Sequence, residues 1–278
     1  MLKTVRVRNM LGLGTGAVLL FLLLALQGCA SPGAAGAVAA AAPQADLLTE
    51  SDEPEARKRA RTRMQLAVAY FEQGQTTVAL DELKQALVID PSFSDAFNLR
   101  GLIYLRLNDS RMAEDSFRRA LALNPREPNT MHNYGWLMCQ QGRYPESLQL
   151  FGQALDNPTY GGRAKTLMAL GLCQQRAGLL PEAERSLSRS YELDPSSPVT
   201  AYNLSEVLVR RGEFDRARFY IGRINAVPEM ATAQSLWLAA RIERGLGNEQ
   251  SVQEFGRRLR ERFPQSDEAL RFERGRFD

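Results

Sequence analysis

The chain has 278 residues, of which 44% are hydrophobic and 24% are charged. These fractions are those of an ordinary globular protein and exclude a chain that is disordered throughout. The net charge of +3 comes from the first 28 residues, which hold three of the 35 basic residues and no acid, so the remainder balances 32 basic against 32 acidic residues. A neutral chain has no overall attraction for phosphate, and we therefore expect no nucleic-acid partner.

Residues 1–28 have the parts of a secretory signal peptide. Lys3, Arg6 and Arg8 precede an uncharged, mostly apolar run from Leu11 to Leu26, and small residues follow it. An uncleaved membrane anchor is the alternative, although the run is shorter than the roughly 20 residues that a spanning helix prefers.

The apolar run ends in Leu26-Gln27-Gly28-Cys29. This ending resembles the lipobox of bacterial lipoproteins, in which the Cys is lipidated and becomes the new N-terminus. The resemblance implies lipidation at Cys29, and several acyl chains anchor a protein far more firmly than one. The next residue is Ala30 and not the Asp that retains many lipoproteins at the inner membrane. By this resemblance the protein is lipid-anchored at the periplasmic face of the outer membrane.

Residues 29–58 are predicted to be the lipidated Cys and a flexible tether. Most of the segment is rich in Ala, Gly and Pro and has no helical apolar stripe. This composition is typical of a flexible linker between an anchor and a folded domain.

Small residues recur along the rest of the chain in steps of 34 residues, with one step of 36. They are Ala67, Gly101, Gly135, Gly171, Ser205 and Ala239. A second small residue follows each of them after twelve positions, at Ala79, Ala113, Ser147, Ala183, Ala217 and Ser251. A large apolar residue comes four positions later still, at Leu83, Phe117, Phe151, Leu187, Ile221 and Phe255. This is the pattern of the tetratricopeptide repeat, a pair of helices A and B. It predicts an all-α, right-handed superhelical solenoid of six repeats over residues 59–265.

Each residue type in the pattern has a mechanical role. The small residues let helices A and B of one repeat approach closely, and the large apolar residue is expected to fill the gap between neighbouring repeats. The glycines expected to end helix A with a positive φ are Gly74, Gly142, Gly178 and Gly212. Residues 266–278 begin like one more helix and are expected to cap the last apolar face.

The longer step of 36 residues coincides with an altered linker after Phe151. Residues 156–162 replace the usual short connection and add two residues. We interpret them as a loop insertion, because insertions in loops cost little free energy. A domain boundary is the alternative, but the repeat resumes in full at Ala164.

No set of residues matches a catalytic site. His132 is the only histidine, and no nucleophile or carboxylate can be placed with it in a catalytic arrangement. No metal-ligand spacing appears. Acidic residues are interleaved with arginine, as in Glu182 and Arg185, which is typical of a solvated helix surface. We expect a non-enzymatic protein with no cofactor, metal or small-molecule substrate.

The A helices of such a solenoid line its concave side, where positions 5 and 9 of each helix point into the groove. The residues predicted to bind a partner there are Met64, Val68, Leu102, His132, Trp136, Met168, Leu172 and Tyr202. Apolar residues prevail through the first four repeats, where a clamp for a terminal carboxylate would need Lys, Arg and Asn. Such a groove suits an amphipathic helix or an apolar peptide. Packing against the next helix is the alternative, especially for Leu102 and Leu172.

Cys139 and Cys173 occupy the A helices of adjacent repeats, 34 residues apart. Equivalent A helices stack side by side and the periplasm is oxidising, so the two residues are predicted to form a disulfide. Two independent buried thiols are the alternative, because the insertion places the pair at positions 12 and 10 of their repeats.

Several local motifs resemble the type IV pilus biogenesis/stability lipoprotein family (PilF/PilW), the pilotins of the type IV pilus secretin. They are Asn133-Tyr134-Gly135 with Cys139, Gly142-Arg143-Tyr144, the insertion Asn157-Pro158-x-Tyr160, Leu170-Gly171-Leu172-Cys173, and Leu236-Trp237-Leu238-Ala239. The resemblance implies a protein, expected to be monomeric, that helps the secretin reach the outer membrane and form multimers there. Pilus biogenesis and twitching motility would depend on it.

Two other functions remain open from the sequence. One is a lipoprotein subunit of the outer-membrane β-barrel assembly machinery, which is also a repeat solenoid. The other is a periplasmic enzyme or activator of peptidoglycan processing, for which a carboxylate pair in a cleft would be needed and none is visible.

Overall fold

The computed structural model describes residues 52–277, which lie within one compact unit. The predicted signal peptide, the lipidation site Cys29 and most of the predicted tether lie outside the described residues. Thirteen helices and no strands occur in the described part: α1 Glu55–Glu72, α2 Thr76–Ile89, α3 Ser94–Arg106, α4 Ser110–Leu123, α5 Pro128–Gln140, α6 Tyr144–Leu155, α7 Arg163–Arg176, α8 Leu180–Leu193, α9 Pro198–Arg210, α10 Phe214–Asn225, α11 Ala233–Gly245, α12 Glu249–Arg262 and α13 Asp267–Glu273. The first twelve form six A/B pairs, which confirms the predicted solenoid of six repeats.

Helix boundaries follow the predicted periodicity closely. The first helix begins at Glu55, slightly before the predicted start of the repeats at residue 59. The predicted linker insertion lies between the end of α6 at Leu155 and the start of α7 at Arg163, inside a single compact unit. Within residues 52–277, no helix has both the length and the hydropathy needed to cross a membrane.

The pairing of helices A and B depends on the small residue of helix A. A Cβ atom added at Gly101 would lie 2.5 Å from the ring of Phe117, and one at Gly171 would lie 2.6 Å from Leu187. Overpacking of this kind costs roughly 1–3 kcal/mol. The large apolar residue of helix B therefore lies over the small residue of its own repeat. It also reaches the next repeat, because Phe117 shares a buried cluster with Leu137.

Residues with positive φ end each A helix. Gly74, Gly142, Gly178 and Gly212 have φ values between 74° and 79°, as predicted. The second repeat uses Asn108 at this point, with φ 59°. Asparagine is among the residues that tolerate the left-handed region, so the turn keeps its geometry without glycine.

The sixth repeat departs from the predicted register by one residue. Ser251 and Phe255 were expected at its two core positions, but the structure buries Val252 and Gly256 there instead. The cause is one additional residue in the linker before α11: its N-cap Thr232 lies 35 positions after Ser197, the N-cap of α9, and the positive φ likewise falls at Gly247, 35 positions after Gly212. Ser251 lies in the first turn of α12, where its backbone N–H donates to the side chain of Asn248.

The space above Gly256 is occupied by the C-terminal helix. A Cβ atom at Gly256 would lie 2.0 Å from the ring of Phe272 in α13. Phe272 belongs to a cluster with Trp237 and Phe277, whose rings stack with centroids 4.9 Å apart. The last apolar face of the solenoid is thereby covered by α13 and the residues that follow it.

Candidate partner-binding groove

Five of the eight predicted groove residues surround a single cavity. Leu102 comes from α3, His132 and Trp136 come from α5, and Met168 and Leu172 come from α7. The cavity has a volume of about 270 Å³ and spans the A helices of the second, third and fourth repeats. Its remaining lining residues are Leu105, Asn133, Lys165 and Ala169.

The other three predicted residues lie elsewhere. Met64 and Val68 are half-buried and pack against the apolar cluster of the first two repeats. Tyr202 lines a separate cavity with Met230, and its hydroxyl donates to Glu206 at 3.4 Å. Burial raises the pKa of Tyr202 to about 12. The structure therefore does not join these three to the cavity of the central repeats.

His132 forms the floor of the cavity. Its side chain is only 7% exposed, and its Nδ1 lies 2.8 Å from the Oγ1 of Thr166. The same Oγ1 lies 3.0 Å from the hydroxyl of Tyr160, which is also buried. Burial, with a smaller contribution from the charge of Lys165, lowers the pKa of His132 to about 4. The imidazole is neutral at pH 7 and presents an uncharged surface to the cavity.

Tyr160 shows that the linker insertion contributes to the core. It packs with Met131 and Ala154, beneath the junction of the third and fourth repeats. Sequence periodicity predicts only a loop here, because a burial pattern cannot be read from seven residues without regular structure.

Trp136 forms one wall of the cavity. Its half-buried side chain packs against the buried residues Cys139, Phe151 and Cys173. The guanidinium of Arg176 lies over its ring, 5.2 Å from the centroid. Beside it, the side-chain amide of Asn133 donates to Asn98 at 3.0 Å and links α5 to α3.

Cys139 and Cys173 are paired as a disulfide in the structure, with their Cα atoms 5.8 Å apart. This separation lies within the range that disulfides require. The pair joins α5 to α7 behind Trp136, and Ser147 Oγ lies 3.2 Å from Cys173 Sγ. The cross-link holds together two of the three helices that line the cavity.

The chemistry that these residues offer is binding. The cavity is lined by apolar side chains, one neutral imidazole, one amide and one ammonium group. Among residues 52–277, no three His, Cys, Asp or Glu side chains are grouped so as to hold a metal ion.

Sequence profiles of the tetratricopeptide repeat match residues 68–108, 94–127, 116–149, 135–198 and 198–218. Over 258 residues the chain is 28% identical to the type IV pilus assembly protein PilF of Pseudomonas aeruginosa, covering 92% of this chain and 97% of that one. The crystal structure of PilW, described as a widely conserved type IV pilus biogenesis factor, is 30% identical and superposes with a TM-score of 0.72, covering 76% of this chain and 96% of PilW.

The chain belongs to the PilF/PilW family of type IV pilus biogenesis proteins.

The solved structure of Pseudomonas aeruginosa PilF gives the same result within this family, with a TM-score of 0.71 and 25% identity over 80% of this chain and all of that one. The tetratricopeptide protein YrrB, described as having an unusual peptide-binding site, is 17% identical with a TM-score of 0.56. At that identity the likeness to YrrB shows the fold alone. The family resemblance read from the sequence is therefore confirmed.

Proposed function

We propose that the protein is a pilotin: a lipid-anchored, non-enzymatic protein of the outer membrane that promotes the localisation and multimer assembly of the type IV pilus secretin. Pilus biogenesis and twitching motility follow from that activity. The observation that carries the proposal is an apolar cavity across three A helices in a member of a type IV pilus biogenesis family. Concave faces of repeat solenoids are extended binding surfaces for proteins.

The partner is proposed to insert apolar side chains between α3, α5 and α7. Burying one large apolar side chain stabilises a complex by roughly 1.5–3 kcal/mol. Leu102, Met168 and Leu172 are each half-buried at the cavity, so they retain apolar surface that a partner can cover. A complex formed in this way needs no cofactor or metal.

Deletion of the gene tests the proposal. We expect heat-resistant secretin multimers to disappear from the outer-membrane fraction and to return when the wild-type gene is supplied. Normal secretin multimers in the deletion strain would contradict the proposal. Blotting unrelated outer-membrane β-barrel proteins serves as the control, because their general loss would favour the β-barrel assembly machinery.

The anchor is tested by Cys29→Ser. We propose that lipid at Cys29 holds the protein at the outer membrane, so this variant is expected in the soluble periplasmic fraction or at the inner membrane. The measurement is fractionation in a strain that lacks the secretin, which removes retention by the partner. Continued recovery of the variant with the outer membrane would contradict the lipid anchor.

A further inference from the structure

Arginines occupy the same position in three of the six A helices, and a fourth arginine lies one position earlier in α11. Arg106, Arg176 and Arg210 are the last residues of α3, α7 and α9, and Arg244 precedes the last residue of α11. All four are exposed. Because all four lie in the last turn of A helices that stack side by side, these residues form a row along one edge of the face made by the A helices. We call them the arginine row.

Three members of the row lie over aromatic rings. Arg106 lies 4.1 Å from the ring centroid of Phe71, Arg176 lies 5.2 Å from that of Trp136, and Arg244 lies 4.3 Å from that of Phe277. Contact with a ring face orients a guanidinium and leaves its N–H groups available at the ring's edge. These three cations are therefore held in place, and Arg176 is held beside the cavity because Trp136 lines it.

The row differs from three other arginines that link repeats, each of which has a carboxylate partner. Arg143 pairs with Glu114 at 3.0 Å, Arg211 pairs with Glu184 at 3.1 Å, and Arg241 pairs with Glu206 at 3.4 Å. In the part of the chain that the structure describes, no carboxylate lies within ion-pair distance of any member of the arginine row. Its positive charge is not balanced locally by the protein.

Positive charge also lies at the other end of α7. Lys165, in the first turn of the helix, lines the cavity, while Arg176, in its last turn, covers Trp136 on the cavity wall. Arg210 is the last residue of α9 in the next repeat, as Arg176 is of α7. An occupant of the cavity would thus meet apolar surface in the middle and cations at both sides.

We propose that the occupant of this cavity is a protein segment in which apolar residues are flanked by acidic ones. The apolar side chains enter between Leu102, Trp136 and Met168, and the flanking carboxylates pair with Arg176 and Arg210. Guanidinium groups favour carboxylates because two N–H groups can donate to one of them. This inference rests on the proposed function for the identity of the partner, since the segment would belong to the secretin.

Peptide binding to the full-length protein, purified in detergent, tests the inference without the secretin. Three labelled 12-residue peptides share one Phe-x-x-Leu core and carry Glu, Gln or Lys at the same four flanking positions. The acidic peptide is expected to bind roughly tenfold more tightly than the basic one, since each exposed pair changes from attraction to repulsion. The preference should diminish as salt is added, because salt screens exposed charges.

A charge-reversed double variant supplies the decisive comparison. In Arg176→Glu with Arg210→Glu the preference is expected to reverse in favour of the basic peptide, a gain that an unfolded variant cannot produce. The matched control is Arg111→Glu with Arg189→Glu, which makes the same charge change at exposed positions of the B helices α4 and α8. The control should keep the preference of the wild type.

Three results would overturn the inference. One is equal binding of the acidic and basic peptides to the wild type, including no binding of either. Another is an unchanged preference in the variant with the reversed row. The third is that the protein binds vesicles of anionic phospholipid and not the peptides, and that this binding is lost in the variant with the reversed row. The row would then be a membrane contact.

The same variants separate this inference from the proposed function in cells. If the deletion strain loses secretin multimers and the variant with the reversed row restores them, the pilotin proposal stands. The inference that an acidic segment pairs with the row is then wrong. If deletion leaves the multimers unchanged, the pilotin proposal is wrong, whatever the peptides show.

Discussion

His132 of the third repeat and Thr166 of the fourth share a buried hydrogen bond, with 2.8 Å between Nδ1 and Oγ1. Tyr160, from the linker between the two repeats, reaches the same hydroxyl at 3.0 Å. Three side chains from α5, the linker and α7 thus meet at one oxygen beneath the cavity. Buried polar networks of this kind fix the relative position of the elements they connect, because each unpaired group would be costly.

The burial of His132 makes stability depend on pH. Its pKa is about 4 in the folded protein against a usual value of 6.5, so between these values the unfolded chain binds more protons. The free energy of unfolding therefore falls as the pH drops from about 6.5 to about 4, by at most about 3 kcal/mol from this residue. Above pH 6.5 the residue contributes no pH dependence.

His132→Asn isolates this effect, because an amide can replace Nδ1 in the hydrogen bond and does not titrate. We expect urea unfolding of the variant to depend less on pH between 4 and 7 than that of the wild type. Carboxylates titrate in both proteins and cancel in the comparison. Parallel curves for the two proteins would show that His132 is not buried as the structure places it.

Asn108 is expected to be sensitive to substitution although it is exposed. Its φ of 59° lies in the left-handed region, which costs a residue such as alanine roughly 1–2 kcal/mol. Asn108→Ala should lower the free energy of unfolding by about 1 kcal/mol, while Asn108→Gly should not lower it. Thermal or urea unfolding measures both. An alanine variant as stable as the wild type would contradict the turn geometry.

The sequence predicts the solenoid because the same spacing of small and large residues recurs along the chain. Phe117 packs directly on Gly101, and Leu187 packs directly on Gly171. Small and large residues must therefore recur together at a fixed spacing. The sequence also contains a signal for the positive φ at Asn108, because this residue lies 34 positions from both Gly74 and Gly142. A search for glycine alone overlooks the other residue that this conformation accepts.

The features that the sequence does not predict depend on contacts between distant segments. Ser251 has the expected size at the expected spacing, and only the additional residue in the linker before α11 moves Val252 into the core. The position of His132 depends on Thr166 and on Tyr160 in an irregular linker. Periodicity places a side chain on a face of its helix, but it does not reveal what covers that face.

The contact between Gly256 and Phe272 predicts how the C-terminal helix is attached. Gly256→Ala places a Cβ atom where the ring of Phe272 lies, and we expect a loss of roughly 1–3 kcal/mol in the free energy of unfolding. The matched control is Gly222→Ala, in a helix and with open space around it, which should stabilise by up to about 1 kcal/mol.

A double variant tests the origin of that loss. In a Phe272→Ala background the ring is absent, so adding Gly256→Ala should cost little or should stabilise. The difference between the two backgrounds, measured by urea unfolding, is the interaction energy of the pair. Equal costs in both backgrounds would mean that α13 does not pack on Gly256.

The disulfide between Cys139 and Cys173 predicts the number of free thiols and a stability difference. Protein isolated from the periplasm and unfolded without reductant should show neither thiol free, whereas two free thiols would exclude the bond. Because the bond closes a loop of about 34 residues, the loop-entropy model gives a contribution of roughly 3–4 kcal/mol. Cys139→Ser with Cys173→Ser should lower the free energy of unfolding by up to that amount, and reductant should then have no further effect.

The cavity predicts which apolar residues matter for binding and which matter for folding. Trp136 and Met168 line the cavity, so Trp136→Glu with Met168→Glu should weaken partner binding by two or more decades, given roughly 1.5–3 kcal/mol for each lost anchor. Met64 packs against the core of the first two repeats, so Met64→Glu should lower stability and leave binding by the folded fraction intact.

Val88→Glu with Leu193→Glu is the control for added charge, because these side chains are 81% and 44% exposed on the B helices α2 and α8. Circular dichroism establishes that each variant is folded, and co-purification of the secretin from detergent extracts measures binding. Normal co-purification with the folded Trp136 and Met168 variant would show that the partner binds outside the cavity. Loss of binding in the control variant instead would place the partner on the B-helix face, because those two side chains are the only ones changed there.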